Sequence, residues 1–173
     1  MTTTRLMHYD PRWKQEFEQT RSGILQSCLG SVTAVEHIGS TAISGLIARP
    51  TIDVIAGLNP ATASKPGVAQ EAAKLIEGLN YRQIEAPTWA PEVVVLDKPR
   101  HGEPTHRVFL TVHGSPFWQQ ATALRDHLRN NPELAIRFEE TKIARWRSNS
   151  GDTQRYTADK TMFLIHLIDQ IGH

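Results

Sequence analysis

Val32-Thr33-Ala34-Val35-Glu36-His37-Ile38-Gly39-Ser40-Thr41, then Arg49-Pro50-Thr51-Ile52-Asp53-Val54-Ile55-Ala56-Gly57-Leu58, is the stretch on which the fold turns. Both halves are rich in β-branched residues and read as strands. Gly39 and Ser40 break the first strand, and Thr41 to Leu46 reads as a short helical turn. A strand that ends in Gly-Ser leaves backbone N–H groups free at the start of the next turn. Gly39 permits a close backbone approach, and Ser40 and Thr41 add hydroxyl donors, a combination that suits a phosphate group. Asp53 on the second strand is placed to hold Mg²⁺ against the same phosphates. The same residues also suit a plain turn followed by a bracing strand acid, and the spacing leaves both readings open.

Outward from this pair, Asp10-Pro11 marks a helix start, with Asp10 as N-cap and Pro11 at the first helical position. The helix presents Trp13, Phe17, Ile24 and Leu25 on one face and ends near Gly30. Beyond the second strand, Asn59 to Gly67 reads as a loop and Val68 to Gly78 as a helix. Tyr81 to Glu85, Glu92 to Asp97 and Thr105 to His113 read as strands, with Pro99 to Pro104 as the loop between the last two. Phe117 to Asn130, Pro132 to about Ser148, and Thr153 to Ile171 then form a helical C-terminal third. The expectation is one α/β (α+β) domain over residues 1–173, a small mixed sheet flanked by helices.

Composition narrows the function classes. The chain has 173 residues, 39% hydrophobic and 21% charged, the mixture of a globular protein with a continuous core. No run approaches the ~20 apolar residues of a membrane span, and the N-terminus has no apolar core of signal-peptide type. Cys28 is the single cysteine, which agrees with a reducing compartment and a cytoplasmic location. Nineteen basic residues against eighteen acidic give a formal charge of +1, which argues against nucleic acid as a partner.

The Tyr9-Asp10-Pro11-Arg12-Trp13 start and the run Glu36-His37-Ile38-Gly39-Ser40-Thr41-Ala42-Ile43-Ser44-Gly45-Leu46 resemble the GrpB family (UPF0157). So do Ala48-Arg49-Pro50-Thr51-Ile52-Asp53 and Leu124-Arg125-Asp126-His127-Leu128-Arg129-Asn130-Asn131-Pro132-Glu133, with Lys142, Tyr156 and Lys160 beyond. The resemblance implies a nucleotidyltransferase-like fold and a nucleotide or other phosphorylated small molecule as partner. It implies phosphate contacts from His37, Gly39, Ser40, Thr41 and Arg49, with Asp53 as catalytic residue and Mg²⁺ ligand. In that superfold the strand carries two carboxylates one residue apart, with a third on a later strand, and together they hold two metals. Here the second position is Ile55, and Arg107 to Val112 supplies no carboxylate. Nucleotidyl transfer with a reduced metal set therefore stands beside a silent binding module that keeps the fold. Members of the family also occur fused to a coenzyme A biosynthetic kinase, which fits an accessory role.

Other residues have bland readings beside the functional ones. His37 either contacts the ligand or orients Asp53, or is a satisfied strand histidine. His101, Glu103, His106 and His113 match no zinc-ligand spacing. Arg125, Arg129, Lys142, Arg145 and Arg147 read as a solvated basic face. Trp118, Trp146 and Phe163 read as anchors of the helical third, and Trp89 as a loop aromatic near a ligand or tucked onto the domain.

Overall fold

The computed structural model describes residues 6–137, apart from Trp89, together with Glu140. The third C-terminal helix, most of the second, and Trp89, Lys142, Arg145, Trp146, Arg147, Tyr156, Lys160 and Phe163 lie outside the described residues.

Helix α1 (Arg12–Ser27) begins one residue later than the sequence suggests, with Pro11 and not Asp10 at the N-cap; the Asp10 carboxylate still accepts the Arg12 backbone N–H at 2.9 Å and its guanidinium at 2.8 Å. Strand β1 (Val32–Ile38) leads into a single 3₁₀ turn, Ser40–Ala42. Strand β2 (Ile52–Leu58), helix α2 (Val68–Glu77), and strands β3 (Arg82–Ile84), β4 (Val94–Lys98) and β5 (His106–Val112) follow. Helix α3 (Pro116–Asn130) starts at Ser115, whose hydroxyl accepts the Trp118 N–H, and residues 132–137 are again helical. Every strand expected from the sequence is present.

The five strands form one mixed sheet in the order β1-β2-β5-β4-β3. Only the β2–β5 pair is parallel. The parallel pair arises because the chain leaves β2 through α2 and the β3–β4 hairpin, then returns between β2 and β4. Side chains alternate across the sheet, so each face has its own core. On one face Val54, Ala56, Val108 and Leu110 pack with Trp13, Phe17 and Ile24 of α1 and Ala72 and Ile76 of α2. On the other, Ile55, Val95 and Ile38 pack with Phe117 and Trp118 of α3. Burying each such large aliphatic side chain stabilises the fold by roughly 1.5–3 kcal/mol. Among the described residues no helix is long and apolar enough to cross a membrane.

Candidate functional site

Gly39 follows β1 at φ +74° and ψ −174°, a region open essentially to glycine. The register opposes Ile38 to Asp53, which brings the β2 carboxylate over the glycine. A Cβ at position 39 would lie 2.6 Å from Asp53 Oδ2. The sequence places a glycine here for two reasons at once, the backbone angle and the space the carboxylate occupies. Ser40 is buried beside it. Gly39 and Asp53 thus meet at one corner, with Ser40 the next residue of the turn.

His37 and Thr41 belong to the opposite side of the sheet. By alternation His37 faces α1, where it stacks on Phe17 at 4.8 Å between ring centroids. Its Nε2 is 2.9 Å from Thr41 Oγ1, and that hydroxyl also reaches the Thr51 carbonyl at 3.4 Å. Burial, reinforced by Arg129 and Arg125, brings the His37 pKa down to about 4, and the ring is neutral at pH 7. His37 therefore braces the turn from behind and does not orient Asp53. Arg49 is half-buried in the connection to β2, and its carbonyl accepts the Thr51 N–H at 2.7 Å.

The row of residues across the sheet at Asp53 is informative. It runs Ile38, Asp53, Arg107, Asp97, Arg82 from β1 through β2, β5 and β4 to β3. Arg107 grips Asp97 with two hydrogen bonds, Nε to Oδ1 at 2.7 Å and Nη2 to Oδ2 at 3.0 Å. That hydrogen bond raises the Arg107 pKa, and the charges of Asp97 and Asp53 add to it. β5 supplies no carboxylate here, as the sequence indicates, and the neighbouring Asp97 comes from β4. Sequence reasoning missed this pair although a signal existed: a hairpin centred on residue 102 sets 97 opposite 107, and unlike charges favour that pairing.

The next row inward is Glu36, Ile55, Phe109, Val95 and Ile84. Ile55 is fully buried there, against the aromatic rings of α3. The place of a second carboxylate is therefore core. Among the described residues no group of three or more His, Cys, Asp or Glu side chains is placed to hold a metal. Asp97 is already committed to Arg107. These residues do not fit a two-metal centre. Asp53 alone could join a Mg²⁺ that takes its remaining ligands from phosphate and water.

Two expectations from the sequence need revision or placing. Arg125 is not a solvated charge, and Arg129, though exposed, is tied to the backbone. The Arg125 side chain is 10% exposed and reaches Glu36 at 2.8 Å and the His37 carbonyl at 3.1 Å. Arg129 directs Nε and Nη2 onto the Ala42 carbonyl at 2.9 and 2.7 Å. Both were misread because the carbonyls they satisfy are about ninety residues away in sequence. His106 and His113 lie at opposite ends of β5, roughly 20 Å apart at the rise of a strand. His113 packs edge-on against Trp118 at 4.7 Å.

A family model described as "GrpB protein" matches residues 3–170. The chain belongs to the GrpB family. A UPF0157 protein of Pseudomonas aeruginosa is 35% identical over 164 residues, covering 92% of this chain and 64% of that protein. The chain thus spans under two thirds of that relative's length. The crystal structure of the conserved protein GrpB from Enterococcus faecalis superposes with a TM-score of 0.80 over 96% of both chains, at 22% identity. A dephospho-CoA kinase of Mycobacterium tuberculosis matches 92% of this chain at 28% identity over 187 residues, which is 44% of the kinase.

Proposed function

We propose that this GrpB-family domain binds a phosphorylated small molecule, a nucleotide foremost, at the corner formed by Gly39, Ser40 and Asp53. The observation that carries the reading is the contact between turn and carboxylate. Asp53 occupies the space that only a glycine at 39 leaves open, and the turn's leading N–H groups start a 3₁₀ segment with no helical partner of their own. In this reading Ser40 and the backbone at Gly39 hold phosphate, and Asp53 holds a ligand hydroxyl or a single Mg²⁺. Thr41 and His37 support the turn from the other face. The metal would supply charge neutralisation between carboxylate and phosphate. The buried Ile55 supports binding over two-metal nucleotidyl transfer. The lone, buried Cys28 supports a reducing, cytoplasmic setting.

The test is thermal denaturation with nucleoside triphosphates and coenzyme A precursors, each with and without Mg²⁺. A ligand at 100 times its Kd adds about 2.7 kcal/mol to the native state, a clear rise in midpoint. The rise is expected with one of these ligands and should vanish in Asp53→Ala. No shift with any ligand, or a shift that survives Asp53→Ala, would refute the site.

A further inference from the structure

Behind the turn, on the side away from Asp53, lies a cavity of about 710 Å³ between α1 and α3 along the open edge of β1. Its volume falls in the range of small-molecule sites. Helix α1 presents Lys14, Phe17, Glu18 and Arg21 to it, the i, i+3, i+4, i+7 stripe of one helix face. Helix α3 presents Arg125 and Arg129 from the opposite wall. Four cations thus meet two carboxylates, Glu18 and Glu36, in a chain whose overall charge is only +1.

Arg125 is already paired with Glu36 and with Asp126, so Glu18 is the lining carboxylate left to face the other three cations. Among the described residues Arg129, Lys14 and Arg21 enter no ion pair. Arg129 spends two N–H groups on the neutral Ala42 carbonyl, which offsets none of its charge. Partial burial and the charge of Arg125 lower its pKa, outweighing the opposing charges of Asp126, Glu36 and Tyr9.

We propose that this cavity is a binding site for a phosphate-bearing small molecule, held by Arg129 and Arg125 from α3 and by Lys14 and Arg21 from α1. Guanidinium groups match phosphate oxygens in a fork, and the lysine adds a point charge. The site is distinct from the Asp53 corner and does not depend on the reading given to it. The two share only the turn, which offers Gly39 and Ser40 to one face and Thr41 to the other.

Isothermal titration with pyrophosphate and inorganic phosphate at low ionic strength tests it, using the full chain. Wild-type protein should bind pyrophosphate, and Lys14→Ala/Arg21→Ala should weaken it at least tenfold. Both positions are exposed on α1, so the variant should melt with the parent. Asp53→Ala should bind pyrophosphate as the wild type does, which separates this site from the corner. Absence of binding up to millimolar pyrophosphate, or unchanged affinity in the α1 double variant, would overturn the proposal. Loss in Asp53→Ala would also overturn it. Equally tight binding of tricarballylate would overturn the assignment to phosphate.

Discussion

Replacing Gly39 by alanine tests how the turn is built. The residue sits at φ +74° and ψ −174°, and holding a side chain in such a region costs about 1–3 kcal/mol. The new Cβ would also stand 2.6 Å from Asp53 Oδ2, 3.2 Å from its Cβ and 3.3 Å from its Cγ. Asp53 must then leave its rotamer, adding roughly 0.5–1.5 kcal/mol. Together these predict a loss of about 2–4 kcal/mol, or roughly 4–16 °C in a chain of this size. Urea denaturation of Gly39→Ala, Asp53→Ala and the double variant separates the two contributions. Removing the carboxylate relieves the steric part and leaves the backbone part, so the double variant should lose about 0.5–1.5 kcal/mol less than the single losses summed. A Gly39→Ala variant within 0.5 kcal/mol of wild type would refute the argument. Additive losses would refute the contact between turn and carboxylate while leaving the backbone strain in place.

Restoring the second acid by Ile55→Asp should not create a metal site. It removes a fully buried side chain and places a carboxylate among aromatic rings, a loss of roughly 3–5 kcal/mol at pH 7, measured by urea denaturation. A stable variant that binds Mg²⁺ would contradict this packing account. The His37 resonance followed by NMR should titrate near 4 instead of 6.5. Its folded pKa is depressed, so below 6.5 the unfolded chain binds the proton first. The stability held by the neutral ring is thus complete above pH 6.5 and is lost as pH falls towards 4, by about 3 kcal/mol at most. A midpoint near 6.5 would place the ring in solvent and remove the brace described behind Thr41.

How much could be read from the chain depended on the range of the interaction involved. The β1–turn–β2 segment, the start of α1 to within one residue and the approximate bounds of the five strands follow from local preferences: β-branched runs, a proline and glycines at fixed points. Gly39 and Asp53 were each legible as candidates, because a glycine ending one β-branched run and an acid in the next are local signals; their contact follows from the pairing of Ile38 with Asp53. His37 was placed in the right strand, with its face left open. Alternation from Asp53 would have assigned it, once the pairing of Ile38 with Asp53 was known.

The sequence by itself determined the elements, the family and the absence of an acid at Ile55. Only the tertiary structure decided that β5 inserts between β2 and β4, since strand order depends on packing across the whole sheet and not on any local signal. From that order come the Asp53–Arg107–Asp97 row and the burial of Ile55 beneath α3. The same holds for Arg125 and Arg129. As residues of a helix they look like solvated charges; folded against β1, they become the donors that satisfy one carbonyl of β1 and one of the turn, and they line a cavity. A side chain's charge is written in the chain, but its partner is set by which distant backbone groups the fold brings within hydrogen-bonding reach.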